Sequence, residues 1–201
     1  MNNFGFQEPC CIENTLPILL RQYGLVTWQS NGDVTFEKIM KAVACMAGNE
    51  LNIIVAVPVI DVPMLRYLRW FQQRGWLKAL TVLTQKQQTG LIRGEMLTGI
   101  PLTVRSHKSI TEGVLIIKGE KQTVIVQGSL HSGVVAAMEY YTTYCGNDAD
   151  RIAMLTNTVN ARLQVLKRKT EKEDKGPLIP EDSPSVDGNN IVTSEENGST
   201  D

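Results

Sequence analysis

The run LNIIVAV at residues 51–57 leaves a chain few ways to fold. A half-buried strand alternates apolar and polar side chains. A run that is apolar and β-branched almost throughout suits a strand covered on both faces. Its flanks supply the covering. Upstream, Phe36, Ile39, Met40, Val43 and Ala47 recur at i, i+3, i+4, i+7 spacing behind a capping Asp33 or Thr35, and Gly48-Asn49 ends the stripe. Downstream, Pro58 stops the strand, and Pro63 opens a second helix whose face is Met64, Leu65, Leu68 and Phe71, closed by Gly75. Residues 79–84 form a second strand, and residues 85–98 a polar helical connection interrupted by Gly90 and Gly94. Residues 102–105 form a third strand. Strand, helix and strand repeated in this way predict right-handed crossovers and a largely parallel core.

The rhythm then changes. Residues 114–117 and 123–126 are two strands joined by Lys118-Gly119-Glu120-Lys121-Gln122, a hairpin. Ser132 is placed to cap a helix carrying Val134, Val135, Met138 and Tyr141, up to Gly146-Asn147. Asp148 then caps a final helix with Ile152, Leu155, Val159, Leu163 and Leu166, ending on Lys167-Arg168-Lys169. At the N-terminus, residues 15–23 suit a short helix ended by Gly24, and residues 25–28 an edge strand or an extended arm. The expected fold class is α/β: a mixed sheet with helices on both faces. The expected organisation is an N-terminal arm over residues 1–30, an α/β domain over 31–169 and a tail over 170–201.

The tail differs from the body in chemistry. It holds nine acids against two bases and three prolines, with little apolar surface to offset chain entropy, and is expected to be disordered. Residues 1–169 hold 18 bases and 12 acids, so a body of about +6 precedes a tail of −7 behind a formal net charge of −1. A basic body attracts phosphates.

The four cysteines (Cys10, Cys11, Cys45, Cys145) form no CxxC pair, and no zinc-ligand spacing is present. Cys45 falls within the first apolar helix and is expected to be a small core residue. The expectation is a soluble chain in a reducing, cytoplasmic compartment, with no membrane partner, no metal and no cofactor.

Phosphate-loop, dinucleotide, GxSxG and HExxH motifs are all missing, which argues against the common nucleotide, hydrolase and zinc-protease classes. Two segments remain. Arg105-Ser106-His107-Lys108 follows a strand, at the end where open α/β sheets place ligands. It is either a phosphate or acid–base cluster or a solvated loop. Gln127-Gly128-Ser129-Leu130-His131 runs from a strand into a turn. Its backbone N–H groups either bind an anion or serve only a tight turn and a cap. Tyr140, Tyr141 and Tyr144 would share a helix as half core, half surface, or stack on bases. Arg66, Arg69, Trp70 and Arg74 share another helix. They give a basic-aromatic face, a solvated face, or a dimer contact through Trp70 and Trp76.

The order of these parts resembles one half of the phospholipase D-like superfamily. The segments that carry the resemblance are LNIIVAVPV, QQRGW, KALTVLT and VLIIKGEKQTVIVQGSLH, and it runs from about Thr35 to Leu166. The resemblance implies a site in which a His-x-Lys precedes the hairpin, the His acting as nucleophile and the Lys holding phosphate, with two half-domains paired. Here His107 and Lys108 are adjacent, which puts their side chains on opposite faces of an extended chain. The expected His-x-Lys falls near Thr111 and Gly113, His131 stands where the family has Asn, and Glu139 stands for a later family acid. The expected function is therefore a non-catalytic binding or scaffold module, homodimeric, with no catalytic residue. It would hold nucleic acid or another polyanion near Arg105, His107, Lys108, Ser129 and His131. The alternatives are an active phosphodiesterase or nuclease using His107 or His131 with Lys108, and a structural assembly subunit.

Overall fold

The computed structural model of the chain describes residues 4–7 (backbone only), 12–30, 34–130, 132 and 139–153. The expected cap Asp33, the pair Cys10-Cys11, His131, the positions Val134, Val135 and Met138, the final helix beyond residue 153 and the acidic tail lie outside the described residues.

The elements follow in the order β1 (Phe4–Gln7), α1 (Ile12–Tyr23), β2 (Leu25–Gln29), α2 (Phe36–Ala47), β3 (Leu51–Val57), α3 (Val62–Gln73), β4 (Leu77–Thr84), α4 (Thr89–Glu95), β5 (Leu102–Ser106), β6 (Gly113–Lys118), β7 (Thr123–Gly128) and β8 (Tyr140–Gly146). The strands form one eight-stranded mixed sheet in the order β1-β2-β8-β7-β6-β3-β4-β5. Its right half, β3-β4-β5, is parallel, and β6, β7 and β8 are an antiparallel meander inserted between β2 and β3.

Side-chain caps hold two helices, Thr35 as expected from the sequence and Asp61 beside the expected Pro63. The Thr35 hydroxyl accepts from the Lys38 N–H at 3.2 Å at the start of α2. Asp61 accepts from the Met64 N–H at 3.1 Å at the start of α3, one turn of which contains Pro63. Gly75 takes φ +71° just beyond α3, the left-handed geometry a helix end favours. The far end of α2 is finished by the β6–β7 turn. The Ala47 carbonyl accepts from the Lys121 N–H, and the Met46 carbonyl from the Gln122 side-chain amide, each at 2.9 Å. Two carbonyls that the helix itself leaves without partners are thereby satisfied.

Each connection β1→β2, β2→β3, β3→β4 and β4→β5 steps the same way across the sheet between strands that point the same way. Right-handed crossovers then put their helices on one face. Accordingly α1, α2, α3 and α4 bury Leu16, Val43, Leu68 and Ile92 in one cluster with Val26, Val55, Val82 and Val126 of the sheet. The other face carries a smaller cluster of Ala56, Leu83, Val114, Ile116, Ile125 and Tyr144 under Ile110 and the partly buried Ile152. Ile152 belongs to the helical turn 149–153, started by Asp148 through the Arg151 N–H at 3.0 Å, as expected. Helices thus meet both faces, four against one turn.

Three expectations change. Residues 140–146 form a strand, not the end of a helix. Tyr141 and Cys145 enter the larger cluster, Tyr144 enters the smaller one and Tyr140 is exposed, which is a period of two. Residues 25–28 lie inside the sheet, between β1 and β8, and α1 and β2 of the segment expected as an arm join the core. Trp28 fixes that join: it stacks on Tyr141 with ring centroids 4.3 Å apart and donates from Nε1 to Thr143 Oγ1 at 3.1 Å. Cys45 is exposed, because it lies two positions, about 200° of helical turn, from the core-facing Val43. Among the described residues no helix is long and apolar enough to cross a membrane.

Candidate functional site

The residues singled out at strand ends do not converge. Arg105 and Lys108 are exposed at the end of β5, and Ser129 follows β7. Strands β4, β3 and β6 lie between, so at about 4.8 Å per strand the two ends are roughly 19 Å apart. His131 lies outside the described residues. No small ligand spans Arg105, Lys108 and Ser129 together.

His107 is committed to its own loop. Its Nδ1 accepts from the Ser109 N–H at 3.2 Å and sits 2.6 Å from Ser109 Oγ. A neutral ring that accepts at Nδ1 carries its proton on Nε2, and that nitrogen is shielded from solvent without a hydrogen-bond partner. A nitrogen so placed has no access to a phosphorus atom. Lys108 reaches the structure through its backbone: its carbonyl accepts from the Gln85 side chain at 3.4 Å. From there the loop carries Ile110, fully buried, across the second face and delivers Thr111 and Glu112 to the middle of the sheet.

There they border a cleft of about 670 Å³ at the carboxyl end of β3, where the chain leaves for α3 on one side and the meander begins on the other. Gly113, Gln127, Gly128, Ser129, Tyr140 and Thr142 complete its principal lining. The two glycines permit its shape. A Cβ on Gly113 would stand 2.2 Å from the Gly128 carbonyl oxygen, and Gly128, at φ +147°, lies against the Tyr141 ring. The Tyr141 hydroxyl donates to the Ser129 carbonyl and has Glu139 Oε2 3.1 Å away. Positions Thr111, Gly113, Ser129 and Glu139 are thus gathered at one end of the sheet, and among the described residues no Lys or Arg side chain lines the cleft.

Basic and aromatic side chains gather elsewhere, between α2 and α3. Two adjoining cavities of about 420 and 340 Å³ share Lys41, Tyr67 and Trp70 and together make the groove along the helix pair. Its aromatic wall is layered: Tyr67 stacks on Trp70 at 5.7 Å, and Trp76 meets Trp70 edge-on at 5.4 Å and 90°. Trp70 and Trp76 keep 37% and 36% of their surface in solvent. Arg74 lies over both indoles, 4.4 and 5.5 Å from their centroids. Arg66 and Lys121 border the groove, and neither they nor Arg74 make an ion pair among the described residues. Glu37, the one acidic residue lining the groove among the described residues, pairs with Lys41 at 2.6 Å. Burial, and secondarily the Glu37 carboxylate, push the Tyr67 phenol up to about 12.

The sequence pointed to Trp70, Trp76, Arg66 and Arg74 through their helix but not to Lys41 or Lys121. Lys121 arrives on a hairpin turn that meets α2 through Gln122 and Met46, 76 residues apart, so no local signal marks it. Among the described residues no group of three or more His, Cys, Asp or Glu side chains is placed to hold a metal ion. Comparison with protein-family models and with curated proteins finds no match.

Proposed function

We propose that the chain is a non-catalytic binding module, a degenerate phospholipase D-like half-domain, that takes single-stranded nucleic acid along the α2–α3 groove. The degenerate reading draws support from the cleft: Thr111 and Gly113, the positions where the resemblance calls for His and Lys, border it with Ser129 and supply neither nucleophile nor cation. The shielded Nε2 of His107 supports the same reading against the phosphodiesterase alternative.

The observation that carries the ligand class is the joining of part-exposed indoles to cations without ion pairs among the described residues, Arg74 over the indoles and Arg66 and Lys121 along the groove. Bases stack on aromatic rings whatever their identity, while cations track the backbone. Phosphates at Lys41, Arg66, Arg74 and Lys121 would give three to four neutralised charges, depending on whether Lys41 leaves Glu37. Binding of a labelled oligo-dT to the full chain, followed by fluorescence anisotropy, is then expected to weaken with salt with a log–log slope of about −2 to −3. Trp70→Ala is expected to cost about 1–3 kcal/mol of affinity. Binding that is absent at low salt, or indifferent to Trp70→Ala, would overturn the assignment.

A further inference from the structure

We propose that the groove has an occupant within the chain itself: the segment Gly176-Pro177-Leu178-Ile179-Pro180-Glu181-Asp182 docks on the Trp70–Trp76 wall and competes with nucleic acid, an autoinhibitory contact that rests on the reading above. Three observations carry it. The first is shape chemistry. Prolines three residues apart fall on one edge of a polyproline II helix, the conformation that aromatic-lined grooves take up. Pro177 and Pro180 have that spacing and enclose two aliphatic side chains. The groove they would enter has two indoles at right angles above the buried Phe71.

The second is charge. Glu181 and Asp182 follow Pro180 directly, in a tail of nine acids and two bases, while Arg66, Arg74 and Lys121 at the groove lack acidic partners among the described residues. The third is reach. From Ala153 to Pro177 is 24 residues, which span about 50 Å with the expected helix continued to Lys169 and at most about 80 Å fully extended. A domain of this size has a radius of gyration of about 15 Å, so the tail reaches either face.

Tethering makes a weak contact sufficient. At an effective concentration of about 1 mM, a segment with a dissociation constant of about 100 μM in trans occupies its site roughly 90% of the time. It then weakens a competitor about tenfold. The test compares the full chain with the full-length variant Leu178→Ser/Ile179→Ser/Glu181→Lys/Asp182→Lys. The first readout is the three indole N–H resonances. The variant is expected to shift the Trp70 and Trp76 signals and to leave Trp28, 1% exposed and bonded to Thr143, in place as the internal control. A synthetic peptide of residues 174–187, added at millimolar concentration, is expected to return both signals. The second readout is oligo-dT affinity, expected to rise about tenfold in the variant.

Unshifted Trp70 and Trp76 signals would overturn the proposal, even if the affinity rises, because the tail would then act by charge alone. Signals that move with protein concentration in the wild-type chain would overturn it in favour of a second copy of the chain as occupant. Shifted signals without any oligo-dT binding would uphold the docking and reject the nucleic-acid reading.

Discussion

Replacing Gly119 with alanine tests how the hairpin and α2 are held together. A Cβ at this position would stand 2.2 Å from the Ala47 carbonyl oxygen and 2.6 Å from its carbon, both backbone atoms that cannot rotate away. To restore van der Waals contact the turn must withdraw by roughly 1 Å. That stretches the Lys121 N–H and Gln122 amide bonds to Ala47 and Met46, both now 2.9 Å, beyond hydrogen-bond range. Each bond is worth about 1 kcal/mol net, and residual strain adds about another. Alanine returns roughly 0.4–1 kcal/mol by restricting the unfolded chain, which leaves a net loss of about 2 kcal/mol. For a chain of this length that is a fall of about 4–8 °C in Tm. The matched control is Gly90→Ala in α4, where an added Cβ meets nothing within 4 Å. It removes a helix glycine and is expected to stabilise by about 0.5–1 kcal/mol. Thermal unfolding followed by circular dichroism on both full-length variants decides the matter. A Gly119→Ala protein melting within about 1 °C of wild type would refute the close approach of turn to helix.

Thr143→Val keeps the shape of the residue but removes the acceptor of the Trp28 indole N–H, and is expected to cost about 1–3 kcal/mol in denaturant titration. Asp61→Ala removes the α3 cap and the acceptor of the Ser132 hydroxyl, with an expected loss of about 1–2 kcal/mol in the same assay. Burial pushes the Cys145 thiol up to about 11. Iodoacetamide at pH 8 is therefore expected to label exposed Cys45 and spare Cys145, and mass mapping showing equal labelling would contradict that placement. Because the Tyr67 phenol ionises at about 12 in the folded chain and near 10 when unfolded, its contribution is complete below pH 10. It declines as pH rises toward 12, so Tyr67→Phe is expected to flatten the alkaline stability loss across that window.

The parts of the fold legible in the sequence are those where one physical demand dominates. LNIIVAV has to be covered on both faces, and β3 is: Ile53, Val55 and Val57 enter one cluster and Ala56 the other. Thr35, Pro63 and Gly75 mark helix ends by backbone chemistry that distant contacts do not override. β8 was misread because Tyr and Thr serve both a helix surface and a strand. What decides between them is the Trp28 ring waiting across the sheet, 115 residues away in sequence. The site suffered from a related blindness. That ligands gather at strand ends selects an edge of the sheet, but only strand order says which ends are neighbours, and β5 and β7 are not. Thr111, Gly113 and Ser129 border one cleft because β6 and β7, which Gly113 opens and Ser129 follows, are paired directly.

The meander between β2 and β3 has a consequence for how the chain is made. On the ribosome, β1, α1, β2 and α2 emerge first, yet the right-hand neighbour of β2 is β8, which emerges more than a hundred residues later. Until then β2 presents a bare edge, and the opposite edge of the gap is that of β3 until β6 and β7 emerge, and of β7 afterwards. The first strands of the protein therefore wait, unfinished, for β8. A nascent chain stalled before Tyr140 would expose two unpaired strand edges to other chains in the cell.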